Sequence, residues 1–169
     1  MPGWLKALLI ATVVVVLLIV AVIGVLVGAG FYGWKAAVRA GNEAAALQNM
    51  KTIAAVEIQY FNNHKRTFGT ADQLVKEGLL NIRFSGDAPQ VDGYVFTLTV
   101  TPGTKSQPAS YLLHADPESE NSGKNHFYLD STDATIHVNS TRPASATDPP
   151  FGRRSVAVIQ DCPLSQSGF

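Results

Sequence analysis

The sequence predicts an α+β fold in which a long N-terminal helix, apolar at first and amphipathic afterwards, packs on a small antiparallel sheet. Two observations carry this prediction. An uncharged apolar run passes without a proline into a stretch of helical periodicity, and short segments that alternate apolar and polar residues follow it. The 169-residue chain divides into a short N-terminus at 1–6, a transmembrane helix at 7–33, a folded domain at 34–138 and a Ser/Thr/Pro-rich tail at 139–169.

The apolar run is long enough to cross a membrane. From Ala7 to Tyr32 the sequence contains no Asp, Glu, Lys or Arg, and about 17 of these positions are Val, Leu, Ile or Phe. A helix of this length exceeds the roughly 30 Å of a bilayer's hydrocarbon layer. Trp4 and Trp34 flank the run, where interfacial aromatic residues are typical. The alternative, a cleaved secretory signal, has an apolar core of only about 7–15 residues.

Two glycines in this run suggest contact between helices. Gly24 and Gly28 are four residues apart, a spacing that lets two helices approach closely in lipid. Glycine is also common in membrane helices in general. Packing of a second helix against Gly24 and Gly28 is therefore a hypothesis.

The helical pattern continues beyond the apolar run. Residues recur there at steps of three and four from Glu43 onward, and we predict that the apolar ones form the core face of the helix: Leu47, Met50, Ala54, Ile58 and Phe61. Four further residues widen this stripe: Ala46, Ile53, Val56 and Tyr60. No proline occurs between Gly3 and Pro89 to interrupt a helix. We therefore predict one continuous helix over about residues 5–61.

A short helix and several strands are predicted after it. Thr70 and Gln73 have the spacing of a capping box, and Gly78 suits the end of the helix that they would begin. Strand-like runs occupy residues 94–100, 111–114, 126–129 and 135–138. Their alternation predicts a sheet with one covered face, and the amphipathic half of the long helix is the natural cover.

Several short segments follow one another in an order typical of one family. They are Asn42–Ala46 on the helix, Phe68–Thr70 in the loop, and Asp92–Phe96, Ala115–Pro117 and Phe127–Asp130 in the sheet. Over roughly residues 36–138, these segments and the long helix resemble the type IV pilins and the pseudopilins of type II secretion. The sequence departs from the family at Leu8, because prepilins carry a glutamate five residues after the cleavage-site glycine, here Gly3.

The resemblance implies a membrane-anchored, pilin-like structural protein of a secretion or pilus-type apparatus. Such a protein acts by helix packing and protein–protein contacts, with other pilin-like subunits or the secretion or pilus machinery as partners. It implies a single-pass protein of the bacterial cytoplasmic membrane, with residues 1–6 inside the cell and the domain outside, or in a surface filament. A stand-alone, anchored extracytoplasmic binding module that does not polymerise is the alternative.

The sequence contains no pattern typical of an enzyme, and we expect neither catalysis nor a small-molecule substrate. Lys plus Arg and Asp plus Glu each number 13, so no charge excess points to nucleic acid. The histidines lack metal-binding helical spacing. Of these, His114 and His126 are candidate neighbours across a hairpin, with Asp116 close by in sequence. The single cysteine, Cys162, cannot form a disulfide within the chain.

One loop contains the oxygen-bearing side chains that calcium prefers. Asp116, Glu118 and Glu120 alternate along it, which makes them candidate calcium ligands. The resemblance adds to this hypothesis, because some pseudopilins hold calcium in loops of their sheet region. A solvated acidic loop is the simpler interpretation, and otherwise we expect no cofactor.

Overall fold

The structure, a computed structural model, describes residues 2–152; within the first helix it does not describe the side chains of residues 3, 5–11 and 25–32. The fold is α+β, with helices and a five-stranded antiparallel sheet. In chain order the elements are α1 (Gly3–Asn63), α2 (Ala71–Lys76), a 3₁₀ turn (Ile82–Phe84), β1 (Gln90–Val91), β2 (Tyr94–Thr101), β3 (Ser110–Pro117), β4 (His126–Asp130) and β5 (His137–Asn139).

The long helix α1 is continuous over 61 residues, as the absence of internal proline predicts. It ends where the backbone turns left-handed, at Lys65 and Arg66, with φ of 51° and 63°. The His64 ring stacks on Tyr60 at this end, with ring centroids 3.9 Å apart. The amide of Arg66 donates to the carbonyl of Phe61, which satisfies one of the helix's last carbonyls.

In the first half of α1, the described large apolar side chains from Val13 to Ile23 are between 49% and 62% exposed. Judged on the described side chains alone, no helix combines the length and the apolar character that a membrane span requires.

The buried face of the second half of α1 overlaps the predicted stripe but is centred on the residues that widen it. Its buried residues follow steps of four and three: Ala46, Met50, Ile53, Glu57 and Tyr60. Leu47 and Ala54 pack at the edge of this face, and Phe61, which is partly buried, stacks on Phe68. The prediction for Ile58 was wrong, since its side chain is 57% exposed. One residue turns a helix by about 100°, so the position after Glu57 points well away from the sheet.

The short helix α2 begins with the predicted capping box. The Gln73 amide donates to Thr70 Oγ1 at 3.4 Å, and the Thr70 amide donates to Gln73 Oε1 at 2.8 Å. Leu74 is fully buried beside α1. Gly78 follows with φ of 72°, a left-handed conformation that favours glycine.

The sheet is an antiparallel meander in the order β1-β2-β3-β4-β5. Its core face presents Tyr94 and Phe96 from β2, Leu113 and Ala115 from β3, and Phe127 from β4. The strands predicted at residues 94–100, 111–114 and 126–129 are confirmed in position. However, β3 continues through Pro117, and the last strand, β5, starts at His137 rather than at residue 135.

The described part of the tail, residues 139–152, belongs to the same folded unit as the sheet. The Asp148 carboxylate accepts hydrogen bonds from Asn139 Nδ2, from both Nη atoms of Arg142, and from the amide and hydroxyl of Ser145. These contacts, that from Asn139 first, hold the pKa of Asp148 down to about 2. Ala144 is 2% exposed. The boundary predicted after residue 138 therefore does not separate residues 139–152 from the domain, and we call residues 34–152 the head domain.

Candidate functional site

The most elaborate polar junction of the head domain joins α1 to the loop formed by residues 118–125. Asn42 Nδ2 donates to the Ser122 carbonyl at 2.9 Å. Glu43 Oε1 accepts the Lys124 amide at 2.9 Å and the Asn125 amide at 3.4 Å, and Glu43 Oε2 accepts Asn125 Nδ2 at 2.8 Å. One carboxylate thus satisfies three donors of a loop that lies about 80 residues away in sequence.

Two glycines allow this junction to close. A Cβ at Gly93 would lie 2.6 Å from Asn42 Nδ2, and Gly93 also has φ of 77°. A Cβ at Gly123 would collide with the Tyr94 hydroxyl, which donates to the Asn125 carbonyl at 2.9 Å. Burial, with the nearby Glu43 and Asp116 charges, raises the pKa of Tyr94, so its hydroxyl stays protonated.

A hydrogen-bonded histidine–aspartate pair lies beside the junction, at the start of β4. His126 Nδ1 is 2.6 Å from Asp116 Oδ1, and both side chains are partly buried. His114 is not part of this pair, because the register places it opposite Tyr128. Of the two histidines that the sequence suggested as neighbours, His126 contacts Asp116, whereas the His114 ring makes an edge contact with Tyr128.

The three candidate calcium ligands are not assembled into a metal site. Asp116 is engaged by His126, while Glu118 and Glu120 are exposed. Within residues 2–152, wherever side chains are described, no group of three or more His, Cys, Asp or Glu residues is arranged to hold a metal ion. Cys162 lies outside the described residues.

A pocket of about 490 Å³ opens between α1, the 118–125 loop and the start of the tail. Its ionisable lining residues are Arg39, Glu120, Lys124 and His126, and its hydroxyl-bearing ones are Ser119, Ser140 and Thr141. Arg39 Nε is buried there, and no acceptor for it is present among the described atoms. Sequence reasoning missed this pocket, because its residues come from three separate segments.

A second, more apolar groove of about 420 Å³ runs between the outer face of α1 and the β4–β5 region. Ile58 lies in it, together with Leu129, Ile136 and Phe151. Ile58 and Phe151 are the most exposed of these four, at 57% and 48%. The residue predicted to lie in the core thus lines a surface groove instead.

The glycine pair proposed for helix packing lies in the first half of α1. A Cβ at Gly24 would meet nothing within 4 Å, so among the described residues this position of the helix is open. The surroundings of Gly28 lie outside what the structure describes. Packing of another helix against the pair therefore stays a prediction.

Glu57 is a fully buried carboxyl group in the interface between α1 and the sheet. Its Oε2 accepts the Gly69 amide at 3.0 Å, while its Oε1 has no partner among the described atoms. Burial raises the pKa of Glu57 to about 7, although the Gly69 hydrogen bond opposes the shift. We did not predict Glu57 as a site residue, yet its spacing from Ile53 and Tyr60 already places it on the buried stripe.

Comparison of the chain with protein-family models, with curated proteins and with solved structures finds no match.

The junction predicts a destabilising effect for Glu43→Ala. The substitution leaves the Lys124 and Asn125 amides without their acceptor, and we expect it to lower the free energy of unfolding by about 2 to 3 kcal/mol. Urea unfolding of the full chain measures this change. Asn49→Ala, which removes one exposed hydrogen bond of the same helix to Asp92, is the matched control and should cost less than about 1 kcal/mol. Equal losses for both variants would contradict the role of Glu43.

From the raised pKa of Glu57 we predict that the free energy of unfolding falls as pH rises. The folded pKa, about 7, lies above the ordinary value of 4.5, so the folded state binds more protons between these two pH values. Hence the free energy of unfolding should decrease from pH 4.5 to about 7, by at most about 3 kcal/mol, and level off above. Glu57→Gln should remove this decrease, whereas Glu118→Gln, an exposed control, should keep it. Urea titrations at pH 5 and pH 8 measure the free energy of unfolding of each variant. If this free energy falls between the two pH values as much in Glu57→Gln as in the wild type, the assignment is refuted.

Proposed function

We propose that this chain is a membrane-anchored, pilin-like structural protein of a secretion or pilus-type apparatus. The observation that carries the proposal is the single helix from Gly3 to Asn63, of which the second half packs on an antiparallel sheet and the first half extends the same rod. A helix of 61 residues is about 90 Å long, several times longer than the head domain needs for its own core. The function therefore lies in what the rod contacts.

The proposed anchor is the uncharged run from Ala7 to Tyr32. Nothing in the described part of the chain covers the apolar side chains from Val13 to Ile23, since each is about half exposed or more. Such a continuous apolar surface is unfavourable in water and favourable in lipid. We place the anchor in the bacterial cytoplasmic membrane with the head domain outside, as the pilin-like order of elements suggests.

The proposed contact surface of the head domain is the apolar groove around Ile58. Exposed apolar patches on small domains mark surfaces that other proteins or membranes cover. The Ile58 side chain is 57% exposed at the edge of this groove, so a neighbouring helix could reach it without moving the core. Further pilin-like subunits are the partners that we propose.

A stand-alone anchored module that does not polymerise is the second candidate, and Leu8 favours it. In the family that the chain resembles, the glutamate at this position is thought to meet the terminal amine of a neighbouring subunit. An unpaired carboxylate in lipid is costly, so the glutamate fixes the register between subunits. Leucine at position 8 cannot form that contact.

The anchor and the processing of the chain are tested together. We expect the full chain in the membrane fraction after an alkaline carbonate wash, with detergent required to release it. Mass spectrometry of the N-terminus then separates the two candidates. A chain that begins at Trp4 with a methylated amine supports a processed pilin, and an intact start at Met1 or Pro2 supports the module. Recovery of the intact chain in the soluble fraction without detergent would refute both.

The groove predicts that Ile58→Glu weakens self-association of the full chain in neutral detergent micelles. A carboxylate in the groove would have to be desolvated on contact, so we expect the dimer or higher assembly to dissociate at least about tenfold more readily. Ile82→Glu is the matched control, because Ile82 is 71% exposed and lies outside the groove. Sedimentation measures the state of association of the wild type and of both variants. Equal behaviour of the two, or a monomeric wild type, would remove the groove from the proposal.

A further inference from the structure

We propose that the pocket between α1, the 118–125 loop and residues 140–141 binds a phosphate-bearing anion. Two cationic side chains from separate segments, Arg39 of α1 and Lys124 of the loop, line the same 490 Å³ space. The expected ligand is a phosphate ester, either free or as the headgroup of a lipid.

The buried Nε of Arg39 is the main reason for placing an anion in this pocket. A guanidinium group presents its N–H donors in a planar fork that matches the oxygens of phosphate, and buried donors are nearly always satisfied. Arg39 Nε is buried at the pocket and lacks an acceptor among the described atoms. The Glu43 carboxylate, one helical turn along α1, is occupied by the 118–125 loop. A bound anion would supply the acceptor that the described part of the chain does not offer to Arg39 Nε.

The other lining groups complement an ester of phosphate. Lys124 forms no ion pair within the described part of the chain, and the Ser140 hydroxyl has no partner there either. The positive charge that His126 can carry is balanced by Asp116. Glu120 is the one unpaired acid of the lining; it is exposed, so its repulsion of an anion is screened by solvent.

The size and position of the pocket fit a headgroup as well as a free ester. A volume of about 490 Å³ lies in the range of small-molecule sites and is larger than inorganic phosphate requires. Arg39 is five residues beyond Trp34, about 7.5 Å along the helix, at the end of the apolar run. The lipid source rests on the anchor proposed above, whereas a free phosphate ester does not depend on it.

Titration calorimetry of the full chain in dodecyl maltoside tests the site with two probes. One is glycerol 3-phosphate in solution, and the other is dioleoyl phosphatidylglycerol mixed into the micelles. Binding of glycerol 3-phosphate identifies a site for free esters, and binding of phosphatidylglycerol alone identifies a headgroup site. If neither probe binds, the proposal is overturned. If the chain proves to need no detergent, the anchor fails, but the glycerol 3-phosphate titration still decides on the site.

Three variants distinguish specific binding in the pocket from nonspecific attraction by surface charge. Arg39→Lys keeps the charge and removes the buried Nε, while Lys124→Gln removes the second charge from an exposed position. Each should weaken binding at least about tenfold. Lys105→Gln, which removes an exposed charge far along the chain in the β2–β3 turn, should change it less than about twofold. Because the Arg39 and Lys124 variants lie on different elements, misfolding of one leaves the other informative. An equal loss in the Lys105 and Lys124 variants would overturn the site.

Discussion

The packing of the second half of α1 on the sheet is the interaction on which the rest of the structure depends. Its buried stripe meets the aromatic face of the sheet, where Tyr94, Phe96 and Phe127 are almost fully enclosed. The sheet is a simple meander, and it would be open on this face without the helix. Since the same helix continues toward the N-terminus, the direction of the apolar rod is tied to the orientation of the head domain.

Buried and partly buried carboxylates hold the irregular segments in place by accepting hydrogen bonds from their backbone amides. Glu43 accepts hydrogen bonds from amides of the 118–125 loop, and Glu57 accepts one from the Gly69 amide. Asp148 accepts hydrogen bonds from the residues around it, including the Ser145 amide. Each satisfies backbone groups that lie outside regular structure, which would otherwise be desolvated without partners. Burying Glu57 costs the most free energy of the three, because the residue is fully buried and only one of its oxygens has a partner among the described atoms. Burial raises the pKa of Glu57 to about 7, against the opposing effect of the Gly69 hydrogen bond, and makes this end of the interface sensitive to protons.

The sequence predicted those features that depend on neighbouring residues. The unbroken helix, the capping box at Thr70 and the position of β2 all follow from local spacing, and the structure has them. The face of α1 was predicted in part: Ala46, Met50, Ile53 and Tyr60 are buried, whereas Ile58, which has the same helical spacing, is exposed. The true stripe passes through an acid, Glu57, which composition assigns to the surface. The tail at 139–152 was read as irregular from its composition, yet the contacts of Asp148 hold it in place.

By itself the sequence determined the apolar run, the continuous rod and the alternation of the strands, because each arises from interactions within a few residues or from the hydrophobicity of the segment. Only the tertiary structure decided which side of α1 is covered and which groups meet at the 118–125 junction. Glu43 and Lys124 are 81 positions apart, and no local pattern relates them. The pocket of Arg39 was decided in the same way, because a cavity is a property of the surfaces that folding brings together.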